Sequence, residues 1–391
     1  MKITKIDVFM KKGNVANSEI GCRVYTDGEI YGDGEGAIAY GTGSTATFGM
    51  ICDLSPLIIG MDPLDNEVIW DKLYKETFWG QNGGPVVFAG ISALDMSLWD
   101  IKGKYFNVPV YKLLGGKKRD NLRTYASQLQ SGWTDKGRIP LGKPEEYAAV
   151  AKRAVAEGYD CVKYDFFTYD RDCRLIQKEE MTRLLSPYYI SLVEERVAAV
   201  REAVGPTVDI IMENHSNLDA NSAVQLGMAV QKHNIFYYEE PNTPNPKTTR
   251  YIRECLAMPI AHGERLYSRW QFVPYFENQS VQVIQPDIGN TGGLTEAKKI
   301  CDMAYAYDVC VQPHICAGPL STAAALHLEA AIPNFVIHEH HYRCLPKSHR
   351  ELCIYDYQPE NGKYKVPELP GLGNEWAPFL FKEWNVVTIQ K

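Results

Sequence analysis

Six short apolar segments in the second half of the chain are each followed by an ionisable residue. The residues that follow them are Glu213, Glu239, Glu264, Asp287, His314 and Glu339. Successive members are 23 to 27 residues apart. An apolar strand that recurs at this spacing is typical of a parallel (β/α) array, in which all strands end at the same face. The repeat therefore predicts a parallel barrel with one functional face.

The first of these segments, 209–212, predicts a short buried strand with two polar side chains just beyond its end. Glu213 and His215 are two residues apart, and side chains at that spacing on an extended backbone point the same way. A carboxylate and an imidazole would therefore emerge side by side from the tip of this strand.

The composition excludes several classes of protein. Of the 391 residues, 45% are hydrophobic and 23% are charged, which is typical of a globular protein. The formal net charge of -7 argues against nucleic acid or an acidic membrane as a partner, and no apolar run is long enough for a transmembrane helix. The ten cysteines form no Cys-x-x-Cys pair, so we expect free thiols in a reduced, cytoplasmic protein.

The periodicity divides the chain into an N-terminal α+β capping domain, a barrel and a C-terminal segment that returns to the cap. We place these parts at residues 1–120, 121–355 and 356–391. Residues 1–36 alternate like three antiparallel strands, and Asp27-Gly28 predicts a two-residue hairpin turn. Helical spacing of apolar residues begins near Gly90.

Three segments are expected to read the stereochemistry of a substrate. They are the segments 12–20, 36–49 and 166–189. The small polar residues of 36–49 predict a loop. The 166–189 segment is an insertion after a barrel strand, and loops in that position border the active face. Its residues Tyr169 and Arg171 are more typical of a surface than of a substrate contact.

Three glutamates, Glu213, Glu239 and Glu264, follow consecutive strands and would converge at one side of the barrel mouth. Three carboxylates cannot all stay ionised together without a cation. Oxygen ligands in this number suit Mg²⁺. The alternative, three unrelated surface glutamates, does not account for their common phase.

Two histidines in the same phase are candidates for acid–base chemistry. Asp287 would orient the His314 ring and raise its basicity, which gives a dyad able to abstract a proton. His215 would act from a different strand, either as the opposite acid or only as support for Glu213. A structural role is the usual one for a lone histidine after Gln-Pro, but not beside a metal trio.

Three further residues would contact the substrate. Lys163 ends the second barrel strand, where it would bind a substrate carboxylate or oppose a developing oxyanion, unless it is a surface lysine. Asp165 shares its face, and we expect it to bind substrate. Glu339 would bind the same group as Lys163.

The order of several short motifs resembles the enolase superfamily, and within it the mandelate racemase subgroup. The resemblance covers nearly the whole chain. It is carried by the segments 92–104 and 109–116, by Tyr238-Glu-Glu-Pro241, Gly263-Glu264, Gln285-Pro-Asp287 and Pro313-His314, and by the segment 366–373.

This resemblance implies an α+β cap over a (β/α)₇β barrel, a modified TIM barrel. It implies one Mg²⁺ per subunit on Glu213, Glu239 and Glu264, and abstraction of the proton α to a carboxylate through an enediolate. The family habit also implies a homo-oligomer.

Departures from the subgroup pattern reduce the number of reactions that this chain is expected to catalyse. Racemases of the subgroup carry Lys-x-Lys at the second strand, whereas this chain has Lys163-Tyr164-Asp165. The first metal ligand is usually aspartate, and here it is Glu213. His215 resembles the histidine that protonates the leaving hydroxyl in sugar-acid dehydratases such as those for galactonate and mannonate.

We therefore predict a Mg²⁺-dependent acid-sugar dehydratase, a carbon–oxygen lyase that acts on a small anionic sugar acid. The alternative is a racemase or epimerase that uses the same enediolate. A catalytically silent barrel is a third possibility, which the six retained strand-end groups disfavour. A zinc hydrolase would need His-x-His at the first strand, and Arg123-Thr-Tyr-Ala-Ser lacks it.

Overall fold

Two sheets organise the computed structural model, which describes residues 1–13, 19–38 and 41–391. One sheet is antiparallel with four strands, and the other is a parallel sheet that curls into a barrel. The segments predicted to read the substrate at 12–20 and 36–49 lie partly outside the described residues. No helix within the described part of the chain is long and apolar enough to cross a membrane.

The described residues of the N-terminal region form three strands and four helices. They are β1 (Ile3–Met10), β2 (Ile20–Thr26), β3 (Tyr31–Gly36), α1 (Ser44–Ile58), α2 (Asn66–Glu76), α3 (Pro85–Phe106) and α4 (Val110–Leu113). The strands pair antiparallel in the order β1-β2-β3, which confirms the prediction. The prediction of a two-residue turn at Asp27-Gly28 is wrong. Tyr25 pairs with Tyr31, so the connection between β2 and β3 is longer than two residues.

The loop predicted at 36–49 is wrong in its second part, because α1 begins at Ser44. The first turn of this helix consists of small polar residues, but Ile51, Leu54 and Ile58 farther along are buried in one cluster with apolar residues of α3. Burial of an apolar face supplies most of the stability of such a helix, and here it outweighs the loop-like composition of the helix start.

Strand β3 packs directly on the backbone of α3, because Gly32 and Gly34 have no side chains on that face. A Cβ at either position would overlap backbone oxygens of α3. The alternate residues, Asp33 and Glu35, point the other way and are both buried. Strand β3 therefore directs two carboxylates away from α3.

The barrel contains eight parallel strands. They are β4 (Asn121–Ser127), β5 (Cys161–Tyr164), β6 (Asp209–Glu213), β7 (Tyr237–Glu239), β8 (Ile260–His262), β9 (Val283–Ile284), β10 (Cys310–Val311) and β11 (His338–His341). Each strand from β4 to β9 pairs with the next, and β11 pairs with β4. A parallel bridge between Val311 and Phe335, just before β11, closes the ring.

Seven helices connect these strands, one in each gap. They are α5 (Pro144–Ala156), α6 (Pro187–Val204), α7 (Ala220–Val230), α8 (Pro246–Cys255), α9 (Ser268–Glu277), α10 (Gly293–Ala306) and α11 (Pro319–Ala331). This alternation is the predicted (β/α)₇β barrel. Each strand is followed by a loop that leads to its helix, so the loops after the strands gather at one face.

The C-terminal segment returns to the cap, as predicted. Helix α12 (Lys347–Arg350) comes just before this segment, which contains β12 (Lys363–Lys365), α13 (Leu380–Glu383) and β13 (Asn385–Gln390). Strand β13 pairs antiparallel with β1. One hydrophobic cluster joins Phe9 of the cap, Leu294 of the barrel and Trp376 of this segment, so all three parts share a core. The domain boundaries given above stay a prediction.

Candidate active site

The three glutamates predicted to bind a metal lie together at the mouth of the barrel. Glu213 and Glu239 end β6 and β7 and are paired in register, and Glu264 follows β8 by two residues. One carboxylate oxygen from each lies within 4.8 Å of the others. The structure thus brings the predicted trio to one point.

The donor set of this cluster fits a hard divalent cation. Oxygens Oε1 of Glu213 and Oε2 of Glu239 are buried and make no hydrogen bond with described residues, although the former lies 3.2 Å from Nε2 of His215. Burial and the charge of Glu213 raise the pKa of Glu239 to about 8. Buried carboxylate oxygens without donors are stabilised by a proton or a cation, and oxygen ligands favour Mg²⁺.

Lys163 lies beneath this cluster, at the end of β5. Its Nζ is 2.7 Å from Glu239 Oε1, 3.2 Å from Glu213 Oε2 and 2.9 Å from Glu339 Oε1. Only 1% of the side chain is exposed. Burial alone would lower the pKa of Lys163, but the three carboxylates hold it well above its usual value. Lys163 is therefore a permanent positive charge under the glutamates rather than a surface lysine.

His314 and Asp287 form the predicted dyad on one wall of the site. Nδ1 of His314 is 2.7 Å from Asp287 Oδ2, and Nε2 is 3.0 Å from Glu264 Oε2. Asp287 also accepts a hydrogen bond from the Gly289 amide (2.7 Å). The carboxylate fixes the Nδ1–H tautomer when the ring is neutral, so Nε2 is the nitrogen that can take up a proton.

His215 and Asp165 form a second dyad that the sequence analysis missed. Nδ1 of His215 is 2.8 Å from Asp165 Oδ2, and Nε2 faces Glu213. Asp165 lines the cavity while its Oδ2 bonds to His215, and its binding of substrate stays a prediction. Burial alone would lower the pKa of His215, but Glu213 and Asp165 raise it to about 9. The signal for this dyad is an aspartate just after β5 and a histidine just after β6, because the ends of adjacent parallel strands lie side by side.

Glu339 on β11 links three parts of the barrel below the cavity. It accepts hydrogen bonds from Ser127 Oγ and from the Ile315 amide (3.0 Å), besides its contact with Lys163. Burial alone would raise the pKa of Glu339, but Lys163 and His314 lower it to about 2. The residue is therefore an ionised hydrogen-bond acceptor, and its contact with substrate stays a prediction.

Four polar residues at the site were not predicted. Gln128, one residue beyond β4, donates to Glu213 and is fixed by Gln130. The guanidinium of Arg265 bridges Glu264 and the buried Glu240. Gln128 follows the end of its strand as the six ionisable residues follow theirs, so its place is predictable from sequence once amide side chains are counted as well.

The two histidines border one cavity of about 530 Å³, which also contacts Asp165, Glu264 and Asp287. Cap residues such as Ile38, Pro85 and Val86 line it as well. Lys163 lies below and is not among the described residues that line it.

The 166–189 insertion forms part of the cavity wall. Thr168 and Lys178 contribute to the lining, together with Arg138 from the loop after β4. The insertion is anchored by the buried Arg196 of α6, which donates to the carbonyls of Phe166 and Tyr169, at 2.7 Å each. Buried guanidinium–carbonyl bonds of this kind hold a long loop in one conformation.

Neither residue singled out in the insertion lines the cavity. Tyr169 is buried and accepts a hydrogen bond from Arg138 Nε (2.5 Å). Arg171 is exposed and pairs with Glu195 on α6 (2.6 Å). Arg138, Thr168 and Lys178, which no sequence motif marks, are the residues of this wall that line the cavity.

Known proteins resemble this chain over nearly its full length. A D-galactonate dehydratase of Ralstonia pickettii is 34% identical over 357 residues, which is 90% of this chain and 87% of the relative. A D-gluconate dehydratase of Thermoproteus tenax is 34% identical over 81% of this chain and 60% of its own length. These names agree with the prediction of an enzyme of the carbon–oxygen lyase class.

Solved structures and family models agree with the fold. A member of the enolase superfamily from Salmonella Typhimurium is 48% identical, and the two chains cover each other completely with a TM-score of 0.97. Residues 13–115 match the N-terminal domain of mandelate racemase and muconate lactonizing enzyme, and residues 146–379 match the enolase C-terminal domain-like model. The chain therefore belongs to the enolase superfamily, in its mandelate racemase/muconate lactonizing enzyme family.

Proposed function

We propose that the protein is an acid-sugar dehydratase that removes water from C2 and C3 of an aldonate-type acid to give a 2-keto-3-deoxy acid. The observation that carries this proposal is the pair of aspartate–histidine dyads, whose two rings border one cavity beside a glutamate trio. A β-elimination needs a base at C2 and an acid at C3, and two oriented imidazoles can supply both.

The proton transfers follow from the orientation of the two rings. Nε2 of His314 takes the C2 proton, and the electron pair of the C–H bond moves into the carboxylate to form an enediolate. That pair then forms the C2–C3 double bond, and the C3–oxygen bond breaks as His215 donates its Nε2 proton to the leaving hydroxyl. Water and an enol result, and the enol tautomerises to the 2-keto acid.

The remaining residues of the site stabilise charge. Mg²⁺ held by Glu213, Glu239 and Glu264 would supply positive charge opposite the oxygens of the enediolate. Lys163 adds a buried charge beneath the same point, where the low dielectric strengthens its effect. Asp165 and Asp287 orient the rings, and Glu339 holds Lys163 in place.

A racemase or epimerase is the second candidate, because the same two dyads on different strands would suit a two-base reaction. Asp165 stands where racemases of the subgroup carry their second lysine. This replacement disfavours a racemase that uses a lysine as base, but it does not disfavour a racemase that uses two histidines. The two functions differ in whether the C3–oxygen bond breaks.

The test is a panel of sugar acids incubated with purified protein and Mg²⁺ in deuterated water. Formation of 2-keto-3-deoxy acid from at least one acid is the expected result. Deuterium at C2 without loss of water would favour the racemase or epimerase. No reaction across C5 and C6 aldonates with Mg²⁺ bound would contradict the proposal. Cytoplasmic location and a homo-oligomeric state stay predictions, which fractionation and light scattering would check.

A further inference from the structure

The cap segment Glu35–Ala37 contacts both loops that carry the Asp287–His314 dyad. Glu35 accepts hydrogen bonds from the amides of Gly318 and Ser321 (2.9 Å for Ser321), in the first turn of α11. The amide of Ala37 donates to the carbonyl of Gly289 (2.9 Å). Gly318 is four residues after His314, and Gly289 is two residues after Asp287. One short segment of the cap thus contacts both the loop that follows Asp287 and the loop that follows His314.

Glu35 is a buried carboxylate whose hydrogen-bond donors are backbone amides. Only 1% of it is exposed, and among the described residues no cationic side chain lies within ion-pair distance. Burial raises the pKa of Glu35 to about 8, while the two amides favour the ionised form. The amides at a helix N-terminus stabilise an anion, so Glu35 is bound to α11 rather than to a neighbour in the cap.

The packing around these hydrogen bonds leaves no space for an added side-chain atom. A Cβ at Gly318 would overlap the Glu35 carboxylate, and a Cβ at Gly289 would overlap the Ala37 side chain. Both loops therefore rest directly on the cap through glycine. A shift of the cap segment would be transmitted to them without an intervening side chain to absorb it.

The cap holds α10, which follows Asp287, in a similar way. Ser92 Oγ on α3 accepts hydrogen bonds from the amides of Gly292 and Gly293, at 2.9 Å each. Asp95 accepts from the amide of Thr295 (3.0 Å). The first turns of both helices that follow the dyad are thus capped by side chains of another domain.

We propose that Glu35 is a positioning residue for His314. By fixing the first turn of α11, it fixes the loop 314–318 and so the direction of Nε2 of His314 toward the substrate. This inference rests on the proposed function for its kinetic consequence, but not for its structural one. Displacement of a catalytic group by a fraction of an ångström lowers the turnover rate far more than it lowers substrate binding.

The kinetic test compares Glu35→Gln with Asp100→Asn in the full-length protein. Asp100 is the control, because it is buried in the same cap and, like Glu35, accepts hydrogen bonds from two backbone amides, those of Asp33 (3.0 Å) and Leu372 (2.8 Å), in addition to an ion pair with Lys104 (2.8 Å). Its partners lie in the cap and the C-terminal segment, away from the dyad. We expect Glu35→Gln to lower kcat about tenfold or more while KM and Mg²⁺ affinity change less than about twofold. Asp100→Asn should lower the melting temperature with little change in kcat.

A second readout requires no substrate. Protein with isotope-labelled histidine gives ring signals by NMR, and the His314 signals are assigned by their loss in His314→Asn. We expect Glu35→Gln to shift the signals of His314 and leave those of His215 in place, whereas Asp100→Asn should move neither. Should the wild-type protein turn over no sugar acid, this measurement still tests the role of Glu35.

Gly318→Ala provides a second variant if Glu35→Gln does not fold. The glycine has φ near -83°, which alanine adopts freely, so the added methyl group acts mainly by pushing on the Glu35 carboxylate. It should shift His314 in the same way. The inference is overturned if a folded Glu35 variant, or Gly318→Ala, loses thermal stability while kcat and the His314 signals stay at wild-type values.

Discussion

The two histidine dyads have the same internal chemistry but different supports. In each, an aspartate contacts Nδ1 and a glutamate of the trio faces Nε2. Helix α11, which follows His314, is capped by Glu35 of the cap domain. Helix α7, which follows His215, is capped by its own Asp219, through the amides of Asn221 (2.9 Å) and Ser222 (3.1 Å). One dyad therefore depends on two domains and the other on the barrel.

The His215 dyad also has more open surroundings. The side chain of His215 is 29% exposed, compared with 14% for His314, and its backbone has a φ of 46°, in the left-handed region. Its aspartate comes from β5, whose following loop is the 166–189 insertion. Under the proposed function, the ring that would take the C2 proton is therefore held from the cap, and the ring that would donate a proton is held by the barrel and the insertion.

The largest expected effect is that of His314→Asn, which removes the base and leaves a smaller polar side chain in its place. We expect kcat to fall by about 10³-fold or more, because general base catalysis and the orientation by Asp287 are both lost. Exchange of the C2 proton with deuterated water should stop as well, and NMR of recovered substrate measures it. Continued exchange at the wild-type rate would mean that another group is the base.

His215→Asn should separate the two dyads. Dehydration should fall by about 10²-fold, because the leaving hydroxyl has no acid, while C2 exchange continues through His314. The two rates are measured in the same deuterated sample. Equal loss of exchange in both histidine variants would show that the two rings do not have separate roles, and would favour a site in which either ring depends on the other.

Replacement of the aspartates tests whether the supports differ in strength. Asp287→Asn and Asp165→Asn each leave a hydrogen-bonding group on Nδ1 but remove its charge, and we expect kcat to fall by about 10- to 100-fold in each. The loss should be larger for Asp165→Asn, because the side chain of His215 is more exposed than that of His314 (29% against 14%) and its ring is therefore less confined by packing. Steady-state kinetics at saturating Mg²⁺ measures both, and the opposite order would contradict this ranking.

The sequence predicted the barrel well, because six consecutive strands, β6 to β11, carry an ionisable residue at or close to their ends. Glu213, Glu239 and Glu264 meet as the phase required, and so do Asp287 and His314. The regular position at the strand ends predicts which residues reach the mouth of the barrel, but it does not predict which of them form hydrogen-bonded pairs there. Asp165 was therefore assigned to substrate rather than to His215, since the contact joins the ends of adjacent strands across a 50-residue gap.

The contacts of the cap were beyond the sequence for a different reason. Glu35 lies 283 positions before its partner Gly318, and no local pattern links a strand carboxylate to a distant helix start. The loop prediction at 36–49 failed likewise, because the burial of α1 against α3 is tertiary. Residues whose role depends on a second domain are those that periodicity does not identify.

The smallest expected effect is that of Asp219→Ala, which removes the cap of α7. The change should lower the free energy of unfolding by about 1 kcal/mol, the usual contribution of such a cap. It should change kcat by less than about twofold, because the His215 ring is held by Asp165 and the backbone of Ser216 is held by the Glu240 carbonyl (2.9 Å). Urea denaturation and steady-state kinetics measure the two quantities. If Asp219→Ala lowers kcat as much as Glu35→Gln does, then capping of the following helix matters equally for both histidines, and the contrast between a dyad held by two domains and one held by the barrel no longer stands.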